Sequence, residues 1–499
     1  MVGGDEPQGG RRPFFTRTRR RRSLAAFLGW APSAVGVVAN GLASVGRGAR
    51  IVCGGLPPPA RWRRRPGRFP PEKRRSRMSL RGRLTLAAIG LAAVLVPLWL
   101  LLGGSGSSGD AAEAAEPQTP PVAAPPPESA ALPDAIFQPP VGRGALRAAT
   151  ERDGLRVEYT LDPELTDQVW RVLDRGRVDL GHVLIMDPQS GDLLTYVSTD
   201  PERFPPTRAY PAASLVKVVT AAALLDAEPA AAERPCRYAG NPYRLNRRSL
   251  DPPRRGGDEM SLRRALATSN NKCFAQWAVH EIGGERMLAA IRRFGLLRAA
   301  APVHAPGTVS DPGEDRLELG QLGSGLDGLR ITPLHAVQLA AVLARGHRVQ
   351  PSWVARVEDA AGGELPIPSP TESIPVLTEE LTRDLRSMLT DTTRRGTARR
   401  AFRTRRGRPL LRGVTVAGKT GSLNGTDPKG RYEWFIGVAP ADAPTLAVAT
   451  VAVQGPLYWM SASQLAAEVL KVAFCPKGVC SDEPPQARRT RTAAQPVGG

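Results

Sequence analysis

Residues 181–198 read GHVLIMDPQSGDLLTYVS, two apolar runs around a turn that holds Pro188 and Gly191. That is the pattern of a β-hairpin. Working outward, Val414–Ala417, Trp434–Val438 and Leu446–Val453 read as three further strands near the other end. Between the two groups, helical periodicity covers Ser214–Leu225, Leu262–Glu281, Glu285–Phe294, Pro333–Leu343 and Glu379–Leu389, and a last helix covers Ser461–Ala473. The expected fold class is therefore α/β. An antiparallel sheet is built from both ends of the domain, flanked by helices, with a mostly helical subdomain between. A cleft between sheet and helices is the natural place for a site.

The ordered domain is read as 151–479, followed by a polar tail over 480–499. Residues 103–150 are rich in Pro and Ala, as in PQTPPVAAPPPESAALP, and read as a tether. Before it, Leu84–Leu102 (LTLAAIGLAAVLVPLWLLL) carries no charge and is long enough to span a bilayer as one transmembrane helix. Arg74, Arg75, Arg77, Arg81 and Arg83 precede this run, and no basic residue follows until Arg143. The asymmetry keeps the N-terminal side in the cytoplasm and sends the domain outward, as a retained anchor rather than a cleaved signal. Met78 opens a stretch that would serve alone as the short basic start of such an anchor, with residues 1–77 not forming a domain.

The net charge of +21 has the same origin. Residues 1–83 hold 20 Arg and Lys against 3 Asp and Glu, which leaves only +4 for residues 84–499. The folded part is nearly neutral, which argues against a nucleic-acid partner. The five His are scattered and no His, Cys or carboxylate cluster has metal-ligand spacing, so neither metal nor cofactor is expected.

Three short motifs carry chemistry. In Ser214-Leu-Val-Lys217 the two polar side chains fall one helical turn apart on one face. A serine hydroxyl needs a base, and an unprotonated Lys can be one when burial or nearby positive charge lowers its pKa. The chain has 7 Lys among 68 basic residues, and Arg cannot act as a base, so a Lys in the otherwise apolar run VVTAAALL is informative. Ser269-Asn270-Asn271 supplies a hydroxyl and an amide two residues apart. Taken alone it reads as a helix cap. Lys419-Thr420-Gly421-Ser422, after VTVAG and before a loop, suits a strand edge that binds a carboxylate, with Gly allowing close approach.

Together the motifs resemble the signature of the penicillin-binding protein transpeptidases and serine β-lactamases. Their separations, 55 residues from Ser214 to Ser269 and 148 from Asn271 to Lys419, suit that superfamily. GHVLIMDPQSGDLLTYVS resembles the opening hairpin of the transpeptidase domain, and SGLDGLRITPLHAVQLAAVLARGHRVQPSWV its Thr-Pro-Leu helix and following turn. That turn reads Ala344-Arg345-Gly346-His347 here, where the family has an Asn-Gly-Gly-like sequence. RSMLTDTTRRGTARRA resembles the segment before the third motif, and Trp434-Phe435-Ile436-Gly437 the strand after it.

The resemblance implies a peptidoglycan D,D-transpeptidase with Ser214 as acylated nucleophile, Lys217 as its base and Ser269 passing the proton to the leaving amine. Asn271 would bind the peptide, and Lys419 and Thr420 would hold the terminal carboxylate of D-Ala-D-Ala. Gly421 lets the strand approach, and the backbone N–H groups of Ser214 and Ser422 would form an oxyanion hole. Implied partners are stem peptides, β-lactams as covalent inhibitors, the cytoplasmic membrane and a separate glycan polymerase, since the stretch between the span and residue 151 is too short for a polymerase domain. A D,D-carboxypeptidase, a serine β-lactamase and a non-catalytic receptor for β-lactams or wall fragments are the alternatives. Glu314 and Glu318 lie between the second and third motifs but lack the context of a water-activating element.

Four Cys fall on the exported side. Cys475 and Cys480 bracket Pro-Lys-Gly-Val and suggest a local bridge, which leaves Cys236 and Cys273. Four Cys allow three pairings, and Cys273 reads equally as a buried apolar residue.

Overall fold

The structure, a computed structural model, describes residues 132–148, 151–367, 373–455 and 459–481. The basic segment 1–83, the apolar span 84–102, residues 103–131 of the Pro/Ala-rich stretch and residues 482–499 of the tail lie outside the described residues. Among the described residues, no helix is long and apolar enough to cross a membrane.

The hairpin forms from β1 (Leu180–Met186) and β2 (Leu193–Ser198). Its partners come from the far end of the domain: β3 (Ala417–Thr426), β4 (Lys429–Ala439) and β5 (Leu446–Gln454). The sheet order is β3-β4-β5-β1-β2, antiparallel throughout, with β5 pairing β1 and β3 at one edge. β1 is buried at every position because both faces of the sheet are covered. Alternation along the strands then sorts side chains into two cores. Val183, Ile185, Phe435 and Val448 pack with α1 (Pro163–Gly176) and the C-terminal helix Ala462–Phe474. Leu184, Met186, Ile436 and Ala449 pack on the other face with the helical part of the chain.

That helical part comprises α2 (Val216–Ala227), α3 (Leu262–Thr268), α4 (Asn271–Trp277), α5 (Gly284–Arg293), α6 (Arg316–Ser324), α7 (Pro333–Arg345) and α8 (Glu379–Arg394). Ala462–Phe474 is α9, capped by Ser461. The continuous helix expected over Leu262–Glu281 is broken. Ser269 takes φ 58° and ends α3, and Asn270 caps α4 by accepting from the backbone N–H groups of Lys272 and Cys273. A left-handed Ser269 and an Asn270 side chain that bonds the backbone of the next turn outweigh the apolar periodicity on either side. The strand expected over Val414–Ala417 is likewise displaced: it begins at Ala417, so the third motif lies within β3 rather than before a loop. Within the stretch read as a tether, Ile136 and Val141 are buried in the larger core, and the Val141 carbonyl accepts from the Ser198 N–H.

Both suggested disulfides are present, Cys236–Cys273 and Cys475–Cys480. The first closes 37 residues of separation and ties the strand Cys236–Tyr238 to α4. On loop-closure entropy, Cys236→Ser with Cys273→Ser lowers unfolding free energy by about 4 kcal/mol, and the C-terminal pair by about 2. Denaturant midpoints check both. Equal losses from the two pairs would contradict the loop-length argument.

Candidate active site

Ala213–Leu215 forms one 3₁₀ turn that runs directly into α2, so Lys217 is the second residue of the helix and faces Ser214 one turn back. The turn is held in an unusual conformation. Ala213 has φ 50°, and a Cβ on Gly325 would lie 2.1 Å from the Ala213 carbonyl oxygen. Gly325, itself at φ 70°, is thus what lets the end of α6 come up behind the serine. α2 has no solvated face at this level: every residue from Val216 to Leu224 is buried, Lys217 included.

Three groups surround the Lys217 amine. Nζ lies 2.8 Å from Ser214 Oγ and 2.7 Å from Asn271 Oδ1, and it also bonds the Ser324 carbonyl at the end of α6. The last two oxygens can only accept. A neutral amine has two N–H bonds and one lone pair. Its two hydrogens go to Asn271 and Ser324, and the lone pair is left facing the Ser214 hydroxyl. Burial, and secondarily the charge of Lys419, hold the Lys217 pKa well below the ordinary lysine value, which favours that neutral form.

Lys419, on β3, is also fully buried, and burial lowers its pKa to about 7. Its Nζ donates to Ser269 Oγ at 2.9 Å and to the Thr420 carbonyl. The left-handed backbone at Ser269 is what turns this hydroxyl from the helix toward β3. Asn271 is also anchored through one hydrogen of its Nδ2, which donates to the Tyr243 carbonyl at 2.9 Å. The middle motif thereby links both lysines.

A cavity of about 740 Å³ opens over these groups, lined among others by Ser214, Ser269, Asn271, Thr420, Gly421 and Ser422. Its wall is the free edge of β3, whose outward backbone groups are not paired by β4. Gly421 passes so close to the serine turn that a Cβ there would lie 3.3 Å from Ala213 Cβ and 3.4 Å from the Ser214 backbone N. All eight residues singled out from sequence therefore converge on one cleft or its floor.

A family model described as the penicillin binding protein transpeptidase domain matches residues 181–473. The chain belongs to this family. Peptidoglycan D,D-transpeptidase PbpA of Mycolicibacterium smegmatis is 27% identical to this penicillin-binding family member over 357 residues, 63% of this chain and 71% of that protein. Stage V sporulation protein D of Bacillus subtilis is 25% identical over 338 residues, 61% of this chain and 50% of that one. Among solved structures, PBPA from Mycobacterium tuberculosis shares the fold with a TM-score of 0.53 at 23% identity, covering 64% of this chain and 82% of that chain.

The structure adds residues to this cleft that the motifs alone do not name. Thr397 Oγ1 is 2.6 Å from Thr420 Oγ1, and Arg400 and Ala401 line the same wall. The Gly396-Thr397-Ala398 segment was the available signal. On the opposite side Ser422 Oγ accepts from Arg431, which pairs with Glu433 at 3.3 Å. Tyr243 contributes through the loop before Asn246. Nothing local in the sequence marks Tyr243, Arg431 or Glu433.

Proposed function

We propose that this protein is a serine D,D-transpeptidase of peptidoglycan synthesis, working through an acyl-enzyme on Ser214. The observation that carries the reading is the buried Lys217 amine, 2.8 Å from Ser214 Oγ and beside two oxygens that can only accept, so that a neutral amine would turn its lone pair to the serine. Ser214 Oγ bonds the carbonyl carbon of the penultimate D-Ala as its proton passes to Lys217. The C–N bond then breaks, and the terminal D-Ala nitrogen receives a proton by way of Ser269. An amine on a second stem peptide attacks the ester, loses its proton by the same route and restores the Ser214 hydroxyl. Lys419 and Thr420 hold the leaving carboxylate, Asn271 positions Lys217 and the peptide, and backbone N–H groups of Ser214 and Ser422 receive the oxyanion.

A β-lactamase would need a base for deacylating water. Glu433 is the one carboxylate among the residues lining the cleft, and it is paired with Arg431 beyond Ser422. Glu314 and Glu318 are exposed and do not line it. The kinship with PbpA supports wall synthesis. The test is mass spectrometry of products from a D-Ala-D-Ala pentapeptide, with and without an acceptor amine. Transfer to the amine with release of one D-Ala is expected, whereas hydrolysis alone would make the protein a carboxypeptidase.

The same reading places the domain outside the cytoplasmic membrane, held by the apolar span 84–102 and working beside a separate glycan polymerase. A reporter fused at Ala131 is expected to be active only outside the cytoplasm, with the mature N-terminus at or before Met78. A mature chain starting just after Leu102 would instead mean a secreted protein.

A further inference from the structure

In a two-step acyl transfer, the attacking amine of the second step enters where the leaving amine departed, because the second step retraces the first with a different amine. On the transpeptidase reading, on which this inference rests, the departing residue lies against Lys419 and Thr420. The wall on that side is the segment after α8, where Thr397 bonds Thr420 and Arg400 and Ala401 line the cleft. This segment continues as a strongly basic surface. Residues 394–413 hold nine Arg and no Asp or Glu, and all nine are exposed. Arg395 alone of the nine pairs with a carboxylate, Asp391, among the described residues.

The preference for Arg over Lys says nothing here, because the whole chain shows it. The location of the charge does. Nine positive charges exceed the net +4 of residues 84–499, so the remainder of that stretch is net acidic. The surface is also built rather than loose. Phe402 and Leu411 are buried beneath it, Arg403 bridges Pro409, and the Thr404 N–H donates to the Arg408 carbonyl. That pairing puts Arg405 and Arg406 at the tip of a turn beyond the cleft wall.

We propose that this arginine ledge docks the acceptor: an uncrosslinked peptidoglycan strand, anionic through the free carboxylates of its stem peptides. Holding that strand beside the acyl-enzyme raises the local concentration of amine over water and sets the ratio of transfer to hydrolysis. Complementary charge acts through encounter and orientation, so the effect is steep in salt.

The test uses the full chain and a variant with Arg399→Gln, Arg405→Gln, Arg406→Gln and Arg408→Gln, four side chains for which the structure shows no hydrogen bond or ion pair. The donor is a D-Ala-D-Ala pentapeptide. The acceptor is either free D-alanine or uncrosslinked peptidoglycan strands whose stem peptides end in a single D-Ala, so that they cannot serve as donors. Transfer to the strands is expected to fall roughly tenfold or more in the variant, with penicillin acylation and transfer to free D-alanine unchanged. In a second arm, Ser214→Ala protein binds the strands, and binding weakens with salt and with the four substitutions. An unchanged ratio of strand transfer to hydrolysis overturns the proposal, as does equal strand binding with and without the ledge. Loss of binding only to equimolar phosphatidylglycerol and phosphatidylcholine vesicles, with transfer intact, would assign the ledge to the membrane and overturn it too. Absence of donor acylation in the unmodified protein would instead count against the transpeptidase reading, and the binding arm would still decide this one.

Discussion

Ser214→Ala is expected to abolish covalent labelling by a fluorescent penicillin, a loss of roughly 10⁴-fold or more in acylation rate. Lys217→Arg is expected to lose about 10²–10⁴-fold, the usual contribution of a positioned base, despite retaining positive charge. The reason lies in the hydrogen count. A guanidinium keeps its proton and has no lone pair to offer Ser214. It would also enter a fully buried site whose polar contacts are two carbonyl-type oxygens and a hydroxyl rather than a carboxylate. Lys217→Met, apolar and of similar length, separates the two effects: it removes the base without burying a fixed charge. Melting curves alongside labelling distinguish lost chemistry from lost fold. Labelling of a folded Lys217→Met variant at the normal rate would remove Lys217 from the mechanism.

The second large effect concerns Lys419 and has a defined pH signature. Burial lowers Lys419 to about 7, so its ammonium is lost as pH rises through neutrality. Lys217 works in the opposite sense: it must be unprotonated, and activity falls as pH drops through its depressed value. Acylation by a donor that carries a free carboxylate should therefore follow a bell-shaped kcat/KM profile, with its descending alkaline limb near 7 in the free enzyme. The apparent values belong to the coupled pair. Lys419→Ala should lower acylation by roughly 10–100-fold, the cost of a charged hydrogen bond to the carboxylate. It should also remove the alkaline limb. Because the Lys419 charge helps to depress Lys217, the same variant should move the acid limb to higher pH. An acid limb that stays in place would show that burial alone sets the Lys217 pKa.

Much of this protein was open to reading along the chain. The hairpin over Gly181–Ser198, two of the three late strands and five of the six helical stretches follow from apolar periodicity and turn residues, which act over a few neighbours. The Ser214–Lys217 pair is also local, because three residues of helix bring both side chains to one face. Two Cys at close spacing announced their own bridge for the same reason.

What tertiary structure decided lies where contacts join residues far apart in sequence. The break at Ser269 sets apolar periodicity against the capping side chain of Asn270, and it leaves the Ser269 hydroxyl to a lysine amine, that of Lys419, 150 residues away. That Lys217 presents a lone pair to Ser214 depends on a carbonyl at Ser324 and an amide at Asn271, neither of which shares a helix with it. The basic run after α8 is plain in the sequence, but only Thr397 meeting Thr420 places it at the mouth of the cleft. A chain records which groups it carries and how they repeat along each element. The protonation state and purpose of those groups come from burial and from the partners that folding sets against them.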